Sequence, residues 1–108
     1  MQEVEGKVAF ITGAASGMGL GMARAFSRAG MPVMLADIDV EKLAVVEAEL
    51  KAAGAEVASI RCDVTEEQSV FAAAEETIKV FGKVNVLCNN AGVSVGGLTE
   101  ELSQKDWD

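Results

Sequence analysis

The sequence predicts an α/β fold built as a parallel sheet with helical crossovers. Three observations predict it. Short apolar runs of strand length alternate with longer stretches of helical spacing, in the order β-α-β-α-β-α-β. The strand-like runs are continuously apolar, which suits a sheet covered on both faces. Glycines punctuate the ends of the helical stretches, as helix-ending residues do. At 108 residues, 50% of them hydrophobic, the chain has room for one small domain with a real core.

Val8-Ala9-Phe10-Ile11 is the first strand. A helix follows from Gly17 to Ala29, its apolar face read as Met18, Met22, Phe26 and Ala29, and Gly30 stops it. Met18, Met22, Met31 and Met34 are expected to fill gaps in the core. Pro32 to Ala36 is a second strand ending at Asp37. Asp39 can N-cap the next helix, although Lys42 at the third position makes no capping box. That helix carries Leu43, Val46 and Leu50 on one side and ends near Gly54. Val57 to Cys62 is the third strand. Thr65 with Gln68 three residues on predicts a capping box, and Glu66 and Glu67 suit the positive end of a helix. Its apolar face is read as Val70, Phe71, Ala74, Ile78 and Phe81, with Gly82 closing it and Val84 to Cys88 as the fourth strand. Beyond Cys88 the regularity fails, first in a glycine-rich stretch to Gly97 and then in a polar one containing Leu102 and Trp107.

The junction of the first strand and first helix carries the chemistry. It reads Thr12-Gly13-Ala14-Ala15-Ser16-Gly17-Met18-Gly19. A strand that ends in glycines and opens a helix gathers backbone N–H groups at one point, where the helix dipole adds partial positive charge. Gly13 permits the tight turn, Gly17 the approach of a pyrophosphate, and Gly19 close helix packing. Asp37 ends the second strand, 37 − 13 = 24 residues after the first glycine. A carboxylate there can accept from both hydroxyls of an adenosine ribose and would repel a 2′-phosphate. A structural turn is the plain alternative for the loop, and a strand-terminal turn residue for Asp37. Together they point to dinucleotide binding.

The formal net charge of −8, with no basic run, argues against nucleic acid and anionic membrane surfaces as partners. No apolar run approaches the roughly 18 residues of a membrane span. The acidic start, Met1-Gln2-Glu3-Val4-Glu5, lacks a basic signal-peptide end, so the cytoplasm is the expected location. Cys62 and Cys88 read as reduced core thiols. With no His, no metal-ligand spacing exists.

The residues resemble a family at this point. Thr12-Gly13-x-x-x-Gly17-x-Gly19 is similar to the glycine motif of short-chain dehydrogenases/reductases. Asn89-Asn90-Ala91-Gly92 resembles that family's second motif, and Cys62-Asp63-Val64 its Asp-Val pair after the third strand. The three occur in the family's order, each at the end of a strand. The resemblance implies a Rossmann-like, doubly wound sheet of order 3-2-1-4, with residues 1–108 forming the N-terminal part of one dinucleotide-binding domain. It implies that Ser16 and the backbone around Met18 and Gly19 hold the pyrophosphate. Asp63 would accept from the adenine amino group with Val64 packing nearby; capping of the following helix is the alternative. Asn90, Ala91 and Gly92 would line the ribose side, with Asn89 bracing the strands; a plain turn is the alternative there. NADP-using members often carry a basic residue just before the second glycine or just after the strand-two acid. Here those places hold Ser16 and Ile38, so NAD is expected over NADP. The sheet order sets Cys62 and Cys88 three spacings apart, roughly 14 Å at ~4.8 Å per strand, too far for a disulfide.

The family's reaction needs a Tyr as general acid/base, a Lys four residues later, a Ser and a further Asn. In the family all lie beyond the point this chain reaches, and the chain has no Tyr. No catalytic residue is assigned, and Ser103 and Lys105 have no supporting context. Were the chain to end at Asp108, strand 4 would be an unpaired apolar edge. Three readings follow. The chain is the NAD-binding half of an oxidoreductase moving hydride between NAD(H) and an alcohol or carbonyl, with its small-molecule substrate bound elsewhere; this one is favoured. Otherwise it is a non-catalytic dinucleotide-binding module, or a structural half that pairs with another chain or with itself as a homo-oligomer.

Overall fold

The computed structural model describes residues 6–89. Strands and helices alternate through β1 (Ala9–Thr12), α1 (Gly17–Arg28), β2 (Val33–Asp37), α2 (Val40–Ala52), β3 (Val57–Arg61), α3 (Glu67–Phe81) and β4 (Val86–Asn89). The strands form one parallel sheet in the order β3-β2-β1-β4. This is the Rossmann-like order the resemblance implied. In register, Thr12 at the end of β1 lies between Ala36 and Asn89, while Asp37 pairs with Arg61. All four carboxyl ends therefore meet along one rim. The chain reverses direction across the sheet between β1 and β4, where a crevice forms in such folds.

Successive residues of a strand point to opposite faces, and both faces here are apolar. Ala9, Ile11, Val33 and Leu35 meet α1 and α2 through Ala23, Leu43, Val46 and Leu50. Phe10, Met34 and Ala36 meet α3 through Val70, Ala73 and Ala74. This explains the unbroken apolar strands. Phe10, Ile11 and Leu35 are wholly buried, and burial of each such side chain is worth about 1.5–3 kcal/mol. Ser59, on β3 at the edge of the described sheet, is a polar member of its face. Its hydroxyl meets the Glu47 carboxylate of α2 at 2.6 Å, which with Lys51 holds that carboxyl below its usual pKa.

Asp39 caps α2 as expected, its carboxylate accepting from the Lys42 N–H at 3.1 Å. A positive-φ glycine follows each helix, at Gly30, Gly54 and Gly82. Cys62 and Cys88 are free thiols, and burial pushes both thiol pKa values up.

Three sequence expectations are corrected. The capping box at Thr65 does not form. The Thr65 hydroxyl and N–H both donate to Asp63 Oδ1, at 2.6 and 3.0 Å, and α3 begins at Glu67. An Asx turn closed by the preceding aspartate captures the threonine. Ile78 is 41% exposed, and Thr77 occupies the buried row with Val70, Ala73 and Ala74. The Thr77 hydroxyl is satisfied there by the Ala73 carbonyl one turn back, at 2.7 Å. Met18, expected in the core, is 74% exposed. The buried row of α1 begins instead at Gly19 and Ala23, with Leu20, Met22 and Phe26 packed beside it.

Candidate functional site

Residues 12–19 turn from β1 into α1 at the centre of the rim. Gly13 makes the turn at φ 64°, and Gly17 opens the helix at φ 61°, a backbone region costly to residues with a Cβ. A Cβ on Gly17 would meet nothing within 4 Å, so the backbone faces open space there. Gly19 has the opposite surroundings. A Cβ on it would overlap the Gly13 carbonyl oxygen and stand 2.7 Å from the Gly13 carbonyl carbon. The first turn of α1 is thus pressed against the loop that leads into it. This contact sets the helix rotation and turns Met18 outward.

The N-terminus of α1 has no internal caps. Ser16 is the N-cap residue in extended backbone, its hydroxyl makes no capping bond, and the first turn holds no acid. The first N–H groups of an α-helix have no acceptor within the helix. At α1 those of Gly17, Met18 and Gly19 therefore converge beside the exposed Ser16 side chain. Donors plus helix dipole form a cradle for an anion the size of a phosphate.

The end of β2 closes the loop from one side. Ala14 N–H donates to the Ala36 carbonyl at 3.0 Å, and Ala15 N–H donates to Asp37 Oδ2 at 3.1 Å. Asp37 Oδ1 accepts from Asp39 N–H at 3.0 Å. Each carboxylate oxygen keeps acceptor capacity for a further donor. From the other side, Thr12 Oγ1 donates to Asn89 Oδ1 at 2.9 Å, with the Cys88 carbonyl at 3.3 Å. Asn89 thus braces β4 against β1, as the resemblance implied. Asn90, Ala91 and Gly92 lie outside the described residues.

Asp63 follows β3, next along the rim from Asp37, whose carbonyl accepts from Cys62 N–H at 3.0 Å. Its own N–H donates to Ser69 Oγ at 2.9 Å. The two Thr65 donors hold its carboxyl below the usual aspartate pKa, so it stays ionised. Asp63 Oδ2 accepts from no donor among the described residues. Val64 is half-buried and packs against the α3 side of the core. The structure brings Gly13, Ser16, Gly17, Met18, Gly19 and Asp37 into one corner and sets Asp63 and Val64 beside it. The contact that sequence reasoning missed is Ala15 N–H to Asp37. It uses the backbone of an alanine, which leaves no signal in residue type.

Between α1 and α2 a groove of about 340 Å³, lined by Leu20, Val45 and Val46 among others, reaches the loop at Ala15. The Arg24 guanidinium grips Glu49 there through two bonds of 2.8 and 2.9 Å, joining the two helices. Among the described residues no three metal-ligating side chains gather, and no helix is long and apolar enough to cross a membrane.

Residues 7–108 match the sequence profile described as short chain dehydrogenase. A dehydrogenase/reductase of CLA biosynthesis from Lactiplantibacillus plantarum is 39% identical over 108 residues, covering 100% of this chain and 38% of the relative. A short-chain dehydrogenase/reductase from Burkholderia phymatum, crystallised with NAD, superposes with a TM-score of 0.78 at 46% identity, covering 81% of this chain and 31% of that one. A metagenomic short-chain oxidoreductase crystallised with NADP gives a TM-score of 0.76 at 43% identity, covering 82% and 40%. The chain spans about two fifths of the length of the curated relatives it matches.

Proposed function

The chain belongs to the short-chain dehydrogenase/reductase family, and from that premise we propose that it is the NAD-binding portion of an oxidoreductase acting on an alcohol/carbonyl pair. In this reading residues 1–108 form the N-terminal part of a single dinucleotide-binding domain. The observation that carries it is the N-terminus of α1: uncapped from within, opened by Gly17 and set beside the Asp37 carboxylate.

Ser16, Gly17, Met18 and Gly19 would hold the pyrophosphate through backbone N–H groups and the Ser16 hydroxyl, with Gly13 shaping the loop. Asp37 would take the hydroxyls of the adenosine ribose, and Asp63 the adenine amino group, with Val64 as an apolar wall. Asn90, Ala91 and Gly92 would complete the ribose side. A bound nicotinamide would supply the hydride chemistry, and these residues would bind and orient the cofactor. A carboxylate at Asp37, without a basic neighbour at Ser16 or Ile38, supports NAD over NADP, because a 2′-phosphate beside it would meet like charge. The free thiols suit a reducing compartment, which supports a cytoplasmic location.

Calorimetric titration of the full chain with each dinucleotide tests this reading. NAD is expected to bind at least about tenfold more tightly than NADP, about 1.4 kcal/mol. Equal affinities would remove the preference, and no binding of either would remove the function.

A further inference from the structure

We infer that Asp37 is also a positioning residue, a latch that fixes the shape of the glycine loop before any ligand arrives. The inference rests on the dinucleotide reading above and adds a second role to the same carboxylate. Ala14 and Ala15 present successive N–H groups to the end of β2, where one finds the Ala36 carbonyl at 3.0 Å and the other Asp37 Oδ2 at 3.1 Å. The sheet's hydrogen bonding is thereby carried one residue into the loop, with a side-chain oxygen replacing a backbone carbonyl. The second carboxylate oxygen is held by Asp39 N–H at 3.0 Å, so the group is fixed at both ends and cannot rotate away from Ala15. Ser16 and Gly17 come next, and with them the N-terminus of α1. An alanine at position 37 would leave the Ala15 N–H without its protein acceptor and release the loop on the side facing β2. A loop that is only fractionally in its binding shape lowers apparent affinity by that fraction, whatever the ligand's ribose carries.

The two roles of Asp37 are separable. A role confined to the ribose acts only through the 2′ and 3′ hydroxyls; a latch acts without them. The probe is NAD lacking both hydroxyls on its adenosine ribose, titrated into the full chain as wild type, Asp37→Ala and Asp37→Asn. In parallel, exchange of the Ala15 amide is followed in ligand-free protein. Asp37→Ala is expected to weaken the dideoxy dinucleotide roughly five- to tenfold and to speed Ala15 exchange at least about tenfold. Asp37→Asn keeps one acceptor oxygen, enough for Ala15 N–H while its NH2 then faces Asp39 N–H, and is expected to restore part of both. Wild-type affinity of Asp37→Ala for the dideoxy probe, or unchanged Ala15 exchange, would overturn the latch. If the wild type binds no dinucleotide, the function fails and Ala15 exchange alone still decides the latch. If Asp37→Ala does not fold, Asp37→Ser replaces it, its hydroxyl ending one bond short of the carboxylate oxygen that Ala15 N–H meets at 3.1 Å.

Discussion

The N-termini of α1 and α2 face the same rim and are built in opposite ways. At α2 the Asp39 carboxylate caps the Lys42 N–H and Glu41 adds negative charge to the first turn. At α1 the cap residue makes no side-chain bond, no acid is present, and two glycines let the backbone bend and stand open. One helix start is completed by its own sequence, and the other leaves its donors open, which the proposed function fills with the dinucleotide. In that reading the comparison teaches that a binding site can consist of stability left unclaimed. A cap is typically worth about 1 kcal/mol, and α1 leaves that much for a ligand to supply.

The largest expected effect comes from filling Gly19. Gly19→Val drives a side chain into the Gly13 carbonyl and is expected to cost more than about 3 kcal/mol, because backbone must move. Urea denaturation measures it. Gly17→Val sharpens the contrast. A Cβ there meets nothing within 4 Å, so the cost to the fold is set by the positive φ, about 1–3 kcal/mol. Dinucleotide binding is nevertheless expected to vanish, because the side chain stands where the ligand enters.

The two caps give smaller effects of opposite kind. Asp39→Ala is expected to destabilise the fold by about 1 kcal/mol. Ser16→Ala is expected to leave the melting temperature within a degree or two of wild type, its hydroxyl capping nothing, and to weaken dinucleotide binding severalfold. A Ser16→Ala variant that melts like Asp39→Ala would end the distinction between the two helix starts.

The smallest effect is in pH. Thr65 lowers the Asp63 pKa in the folded state. A depressed folded pKa means that the contribution is present above the unfolded aspartate pKa, near 4, and is lost as pH falls through the lower folded value. Thr65→Val removes the hydroxyl donor and keeps the backbone N–H; it is expected to move the Asp63 pKa, read by NMR titration of its carboxyl, part of the way to the ordinary value and to reduce that acid-side dependence.

Much of this was legible in the residues because the relevant physics is local. Gly13 serves the turn read for it, Gly19 the close packing, and Asp39 sits where a cap must. The strand order followed from the family resemblance. Less legible was whatever depended on competition or on a distant surface. Thr65 has the spacing of a capping box, but Asp63 lies closer and takes both of its donors first. Met18 has the period of a core residue, but the rotation of α1 is set by Gly19 against Gly13, a backbone contact that periodicity does not weigh. Thr77 looks polar in sequence and is buried because its hydroxyl is satisfied within its own helix.

The most direct test of the central claim is calorimetric titration of NAD into Gly17→Val of the full chain, with its fold checked by circular dichroism. The account predicts a folded protein with no measurable NAD binding, beside a wild type that binds. A folded Gly17→Val variant that takes up NAD as the wild type does would contradict it, and the N-terminus of α1 would no longer be the place where the dinucleotide sits.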